Sequence, residues 1–179
     1  MKSAPFEFAR AASLEEACLL LAERGGDAKL IAGGQSLVPM MAMRLARPAF
    51  LIDINDAADM QGIEYAGEAI TIGATVRQSR IERDALLVAR LPLLGRALRW
   101  VGHAQTRNRG TIGGSMVHAD PSAELPLAAC VLDATLLLRD SKGVLEVPAR
   151  EFMLAPMVVA ITPEQCLAAI RFPAWREAR

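Results

Sequence analysis

The strongest constraint on this chain is the run Thr106-Arg107-Asn108-Arg109-Gly110-Thr111-Ile112-Gly113-Gly114-Ser115, continuing through His118-Ala119-Asp120-Pro121 to Glu124. Three glycines within five residues, Gly110, Gly113 and Gly114, remove Cβ atoms. The backbone is therefore expected to adopt positive φ and bring its N–H groups close to an anion. Successive N–H groups in such a turn form a concave anion nest. Thr111 and Ser115 add hydroxyls, and Arg107 and Arg109 add positive charge. Alone, such a run is commonly no more than a tight turn. A second run, Ala32-Gly33-Gly34-Gln35-Ser36-Leu37, shifts the balance. Two glycine loops from different parts of a chain suit a pyrophosphate clamped between them. Neither is followed by Gly-Lys-Ser/Thr and neither reads Gly-x-Gly-x-x-Gly, so a P-loop or a Rossmann nicotinamide site is not indicated.

The surrounding pattern alternates strands and helices. Phe6-Glu7-Phe8 reads as a strand, and Ser13-Leu14-Glu15-Glu16 as a capping box opening a helix stopped by Gly25-Gly26. Lys29-Leu30-Ile31 is a strand entering the first glycine run. Val38 to Leu45 is a short helix whose Met40, Met41 and Met43 are expected to fill core, and Phe50 to Ile54 is the next strand. This β-α-β-α-β order predicts a small parallel sheet in a first lobe, about residues 1–54. A second lobe, about 55–179, opens with a hairpin over Ile63–Tyr65 and Ala69–Ile72. Thr75 is expected to cap a helix containing Val76 and Ile81. Further helices are expected from Leu91 towards Val101 and from Leu125 to Leu132. Thr135–Arg139 and Val144–Val147 form the clearest hairpin, and Leu167–Phe172 a closing strand. The expected class is α+β, a small parallel lobe followed by a larger mixed or antiparallel one.

Zero net charge over 179 residues gives no global field for nucleic acid. No apolar run is long enough for membrane insertion, and the start lacks a signal-peptide core, so a cytoplasmic address is expected. Cys18, Cys130 and Cys166 are scattered, without Cys-x-x-Cys, and read as core thiols. Charge is uneven: five acids and no base lie from Asp53 to Glu68, and eight arginines from Arg77 to Arg109. That asymmetry is either a solvated face or a docking surface for a partner or an anionic ligand. His103 and His118 are the only histidines, and no nucleophile–base pair or zinc spacing accompanies them. His118 reads as local scaffold, and Asp120 either belongs to the ligand-binding motif or caps the turn at Pro121.

Ala-Gly-Gly-Gln-Ser-Leu with the following Pro-Met-Met-Ala-Met-Arg-Leu, and Arg-Asn-Arg-Gly-Thr-Ile-Gly-Gly-Ser with the following His-Ala-Asp-Pro-Ser-Ala-Glu-Leu-Pro, resemble the two FAD loops of a known family. It is the flavin-binding (medium) subunit of the molybdenum hydroxylases, the carbon monoxide dehydrogenase and xanthine dehydrogenase type. The resemblance covers nearly the whole chain and implies a two-lobed FAD-binding domain of the PCMH type. It assigns the first loop to Leu30, Ile31, Ala32, Gly33, Gly34, Gln35, Ser36 and Leu37, and the second to Thr111, Ile112, Gly113, Gly114 and Ser115. Both are expected to act largely through backbone N–H groups, helped by the Ser36, Thr111 and Ser115 hydroxyls. It further implies Glu124 near the adenosine ribose and Val101 and Leu167 as apolar lining. The implied partners are a molybdenum-cofactor large subunit and a [2Fe–2S] small subunit, whose electrons pass through the flavin to an external acceptor. Family members carry a further C-terminal subdomain after the Ile170-Arg171-Phe172-Pro173 strand, which a sequence ending at Arg179 is expected to lack. The rival expectations are a truncated, non-catalytic flavin-binding module and a self-contained flavin oxidase.

Overall fold

The computed structural model describes residues 2–173; Met1 and 174–179, at the ends of the two expected lobes, lie outside the described residues. The first part of the chain is β1 (Glu7–Arg10), α1 (Leu14–Arg24), β2 (Ala28–Ile31), α2 (Leu37–Ala42) and β3 (Phe50–Asp53). The strands form the expected parallel sheet in the order β1-β3-β2, with Phe50 opposite both Glu7 and Ala28. The capping signal before α1 is real. The Ser13 hydroxyl accepts from Glu16 N–H at 3.1 Å, while the Glu16 carboxylate reaches one residue beyond the cap and accepts from Ala12 N–H at 2.7 Å. Ala17, Cys18 and Leu21 make the buried stripe of α1. That helix packs against β2 and β3 on one side and against strands of the second sheet on the other.

The second sheet is antiparallel throughout. It contains β4 (Ile63–Ala66), β5 (Ala69–Gly73), β6 (Thr135–Asp140), β7 (Gly143–Pro148) and β10 (Cys166–Pro173) in the order β4-β5-β10-β6-β7. The strand expected to close the fold is therefore its central strand, with Ile170 opposite Ile72 on one side and Leu136 on the other. Between β5 and β6 run six short helices: α3 (Gln78–Arg83), α4 (Ala85–Arg90), α5 (Pro92–Leu98), α6 (Ala104–Arg109), α7 (Ile112–His118) and α8 (Glu124–Val131). After β7 come α9 (Ala149–Phe152) and a small hairpin, β8 (Met153–Ala155) with β9 (Val158–Val159). The class is α+β, as expected. One buried cluster runs through both sheets, from Leu21 and Ile52 to Ile72, Leu136 and Ile170.

Three local expectations are corrected. Thr75 caps nothing: its hydroxyl donates to the Met60 carbonyl at 2.8 Å, and α3 starts three residues later with Arg77 as its N-cap. The α2 helix ends at Ala42, leaving Leu45 71% exposed. Of the methionines in this run, Met41 is 5% exposed and fills core, whereas Met43, the C-cap, is 50% exposed and does not. Cys18 and Cys166 are buried as expected, Cys130 is half-buried, and burial pushes all three thiols up.

Candidate functional site

The parallel sheet delivers the first glycine run to its carboxyl edge. After Ile31 the chain turns through Gly33 and Gly34, and Gly34 has φ 69°, a conformation that carries a Cβ only at a cost. The Gln35 amide donates to the Gly33 carbonyl at 3.2 Å and tightens the turn. Among the described residues, the backbone N–H groups of Gly33, Gly34, Gln35, Ser36 and Leu37 donate no hydrogen bond within the chain; the ladder resumes with Val38 N–H on the Gly34 carbonyl. Gly33 is buried, so its N–H in particular requires a partner from outside. Five consecutive free donors at the carboxyl end of parallel strands suit an anion with several oxygens. The Ser36 hydroxyl, also without a partner among the described residues, adds to them.

The second run is not a loop. Thr106 to Arg109 belong to α6, Gly110 ends that helix, and Thr111 is the N-cap of α7, so Gly113, Gly114 and Ser115 are helical. None of Gly110, Gly113 and Gly114 has positive φ. Their N–H groups are also engaged internally, contrary to the expectation that they serve a ligand. Ile112 N–H bonds the Val76 carbonyl, Gly113 the Ala74 carbonyl, Gly114 the Thr111 hydroxyl at 3.1 Å and Ser115 the Thr111 carbonyl. Thr111 is 2% exposed, and its oxygen serves as a cap. The absent side chain at Gly113 allows close packing, since a Cβ there would lie 2.5 Å from the Ala74 Cβ.

The two runs meet. A Cβ on Gly33 would stand 2.3 Å from the Arg109 carbonyl oxygen and 2.8 Å from the Gly110 Cα. Asn55, just past β3, donates through Nδ2 to the Ala32 carbonyl at 2.9 Å and accepts at Oδ1 from Arg77 Nη2 at 2.6 Å. Arg77 Nη1 donates to the Arg109 carbonyl. Burial first, and then the Arg109 charge, hold the Arg77 guanidinium below its usual range, with Asp53 acting in the opposite sense. Arg107 does not bring free charge to this junction. Its Nε lies 2.9 Å from Glu82, and its Nη1 binds the carbonyls of Val101 and Gly102. A cavity of about 130 Å³ beside the network is lined by Asn55, Thr75, Arg77 and Arg80. A larger one, about 330 Å³ and lined in part by Asp133, Thr135 and Arg171, includes no residue of either run.

The remaining sequence candidates are more dispersed. Glu124 is half-buried in the first turn of α8, which packs on α7. Leu167 is buried in β10 opposite Leu138, and Val101 is half-buried after α5, its carbonyl held by Arg107. No hydrogen bond joins these three to the Gly33–Leu37 donors among the described residues. Asp120 Oδ1 accepts from Ser122 N–H and Oγ–H at 2.8 and 2.7 Å, which fixes the turn at Pro121 and lowers its pKa. The His118 side chain adds to the lowering at Asp120, and no acidic, thiol and imidazole cluster suited to a metal occurs among the described residues. Asn55 and Arg77 were missed from the sequence. The usable signal was Asn55 itself, an amide directly following a strand of a parallel sheet, where ligands gather.

A donor loop at the carboxyl edge of a parallel sheet, backed by a second glycine-rich segment and bearing excess positive charge, defines a nucleotide-cofactor-binding protein. Residues 4–175 match the family described as the FAD binding domain in molybdopterin dehydrogenase, and the chain belongs to that family. Its cofactor is FAD, and the unpaired donors of Gly33–Leu37 fit the pyrophosphate of such a molecule. The chain is 40% identical over 173 residues to the 6-hydroxypseudooxynicotine dehydrogenase complex subunit alpha of Paenarthrobacter nicotinovorans, covering 97% of this chain and 58% of that one. It is 38% identical over 172 residues to the carbon monoxide dehydrogenase medium chain of Hydrogenophaga pseudoflava, covering 96% of this chain and 60% of that one. A solved structure of carbon monoxide dehydrogenase from Hydrogenophaga pseudoflava superposes with a TM-score of 0.96, covering 99% of this chain and 62% of that one at 38% identity. Quinoline 2-oxidoreductase from Pseudomonas putida 86 gives 0.94 at 36% identity, covering 97% and 61%. The chain thus spans about three fifths of the length of these relatives. Among the described residues no helix is long and apolar enough to cross a membrane.

Proposed function

We propose that this chain is the FAD-binding part of an electron-transfer subunit in a molybdenum hydroxylase, with its large and small partner subunits supplying the molybdenum cofactor and the [2Fe–2S] clusters. The observation that carries the reading is the row of unpaired N–H groups from Gly33 to Leu37 placed against the Arg109–Gly110 backbone. In this reading the row donates to the pyrophosphate, with Leu30 to Ala32 leading into it. Thr111 to Ser115 form the opposing wall, where the Ser115 hydroxyl is an added donor and Gly114 an exposed, side-chain-free surface. Glu124 accepts from ribose hydroxyls, and Val101 and Leu167 present apolar surface. When bound, FAD supplies one- and two-electron redox chemistry, which suits a junction between single-electron clusters and a two-electron acceptor. Relatives named as medium chains or medium subunits of dehydrogenases and hydroxylases support the multi-subunit setting. The chain is read as one cofactor domain of two lobes, about 1–54 and 55–179.

Titration of the purified chain with FAD and FMN tests the assignment. FAD is expected to bind more tightly, because FMN lacks the pyrophosphate; equal or better FMN binding rejects it. Anaerobic addition of aldehyde or heterocycle substrates to the FAD-loaded chain should leave the flavin oxidised. Its reduction without other subunits would establish a self-contained oxidase instead.

A further inference from the structure

We propose that Arg77 is a positioning residue for the cofactor cradle, fixing the spacing between the Gly33–Leu37 donors and the start of α7 through Asn55 on one side and the Arg109 carbonyl on the other. The inference rests on the FAD reading above. The main chain around Arg77 is already bound to the second run. Residues 76–78 pair with 110–112, with Gln78 N–H on the Gly110 carbonyl at 3.0 Å and Ile112 N–H on the Val76 carbonyl at 3.1 Å. What this pairing leaves undetermined is the distance to the first run, and the Arg77 side chain supplies it.

Nη2 donates to Asn55 Oδ1, and Asn55 Nδ2 passes the restraint to the Ala32 carbonyl, the residue before the free donors. Asn55 is itself immobilised, because its N–H donates to Asp53 Oδ1 at 2.9 Å and its carbonyl accepts from Gln61 Nε2 at 2.8 Å. Nη1 meanwhile holds the Arg109 carbonyl, the group over which Gly33 closes. A planar guanidinium serves two acceptors in fixed directions at once, which a lysine ammonium on a flexible stem does not. The Arg77 and Arg109 charges stand close enough to disfavour one another, so an anion drawn into the junction relieves them. Arg77 is half-buried and outside the apolar cluster, so its loss should alter the cradle while leaving the sheets intact.

The test uses the whole chain with Arg77→Met, Arg77→Lys, Asn55→Ala and the Arg77→Met/Asn55→Ala double variant. Three quantities are measured: FAD affinity, melting of the FAD-free protein, and visible circular dichroism at saturating FAD. Arg77→Met should weaken FAD by about tenfold or more, with little change in FAD-free melting and an altered dichroism of the bound flavin. Arg77→Lys should recover the affinity only in part. The double variant should be no worse than the poorer single one, because both residues belong to one hydrogen-bonded unit. Unchanged affinity in Arg77→Met overturns the proposal. So does weakened affinity accompanied by a lowered FAD-free melting temperature and a wild-type dichroism at saturation, the pattern of a merely structural role. If Arg77→Met fails to fold, Asn55→Ala decides by the same criteria. If the wild-type chain binds no FAD, the cofactor reading fails and this proposal falls with it; if the wild type binds FAD and Arg77→Met binds it equally well, this proposal alone fails.

Discussion

Gly33 and Arg109, far apart in sequence, touch so closely that a Cβ on Gly33 would stand 2.3 Å from the Arg109 carbonyl oxygen. The obstacle is backbone, which yields less readily than a side chain. Gly33→Ala should therefore part the two runs, at a cost of about 1–3 kcal/mol. That corresponds to a melting temperature lower by about 2–12 °C in a domain of this size. FAD affinity should fall in parallel. Calorimetry and a flavin titration on the same variant check both, and a variant unaffected in either would show that the contact is dispensable.

Gly114 presents the opposite case. It is exposed and helical, and an added Cβ would meet only the Thr111 hydroxyl, at 2.9 Å. A side chain there gains about 0.8–1.0 kcal/mol of helix propensity as alanine and crowds the cap. Gly114→Ala should melt within about 2–4 °C of the wild type, a change of roughly 1 kcal/mol. Gly114→Val projects further from the helix start and should lower FAD affinity about tenfold or more, a loss of about 1.4 kcal/mol, while the fold persists. An unchanged dissociation constant would place the cofactor elsewhere than against α7.

Thr111→Val tests the cap itself. Valine keeps the shape of the buried side chain but cannot accept from Gly114 N–H. The loss should be about 0.5–2 kcal/mol of stability, read from urea midpoints, and Thr111→Ser should restore most of it. Equal midpoints for Thr111→Val and wild type would show that α7 is held by packing alone.

Acid should destabilise the fold through carboxylates tied into turns and pairs. Ser122 holds Asp120 below the usual carboxylate range, the Lys142 N–H does so for Asp140, and Arg171 for Glu146. A carboxyl depressed in the folded state contributes stability above its unfolded pKa, near 4. That contribution is lost as pH falls through the lower, folded value. The melting temperature should thus be flat near neutrality and drop below about pH 4. Asp140→Asn keeps an acceptor for the Lys142 and Gly143 N–H groups and should lessen the acid-side drop; an identical pH profile would remove Asp140 from the account.

What could be read from the sequence was local. The Ser13 cap, the Thr135–Pro148 hairpin and the strand entering Gly33 depend on residues within a few positions of one another, and all three are present. The α7 helix was hidden because Gly113 and Gly114 read as breakers. Tertiary contact overrides that preference: Gly113 packs on Ala74, and Gly113 N–H bonds the Ala74 carbonyl. The Arg77 network joins positions 22 and 32 residues apart, and no periodicity signals such a bond. Family resemblance supplied the two glycine runs as a pair, but not the side chains that hold them together.

The position of β10 at the centre of its sheet has a consequence for biosynthesis. Strands β5 and β6 can each pair with a hairpin partner as soon as they are made, yet each must wait for residues 166–173 to gain its second neighbour. For β5 that wait is about 90 residues, roughly 5–18 s at 5–20 residues per second. Throughout it, the inner edge of the β4–β5 hairpin lacks its neighbour, a template for pairing with another nascent chain. Ribosomes that stall, or messages truncated, between Pro148 and Cys166 would release a chain whose parallel sheet is complete and whose antiparallel sheet is split into two separate hairpins. Such products should be taken up by chaperones or proteases rather than accumulate as half-assembled flavoprotein.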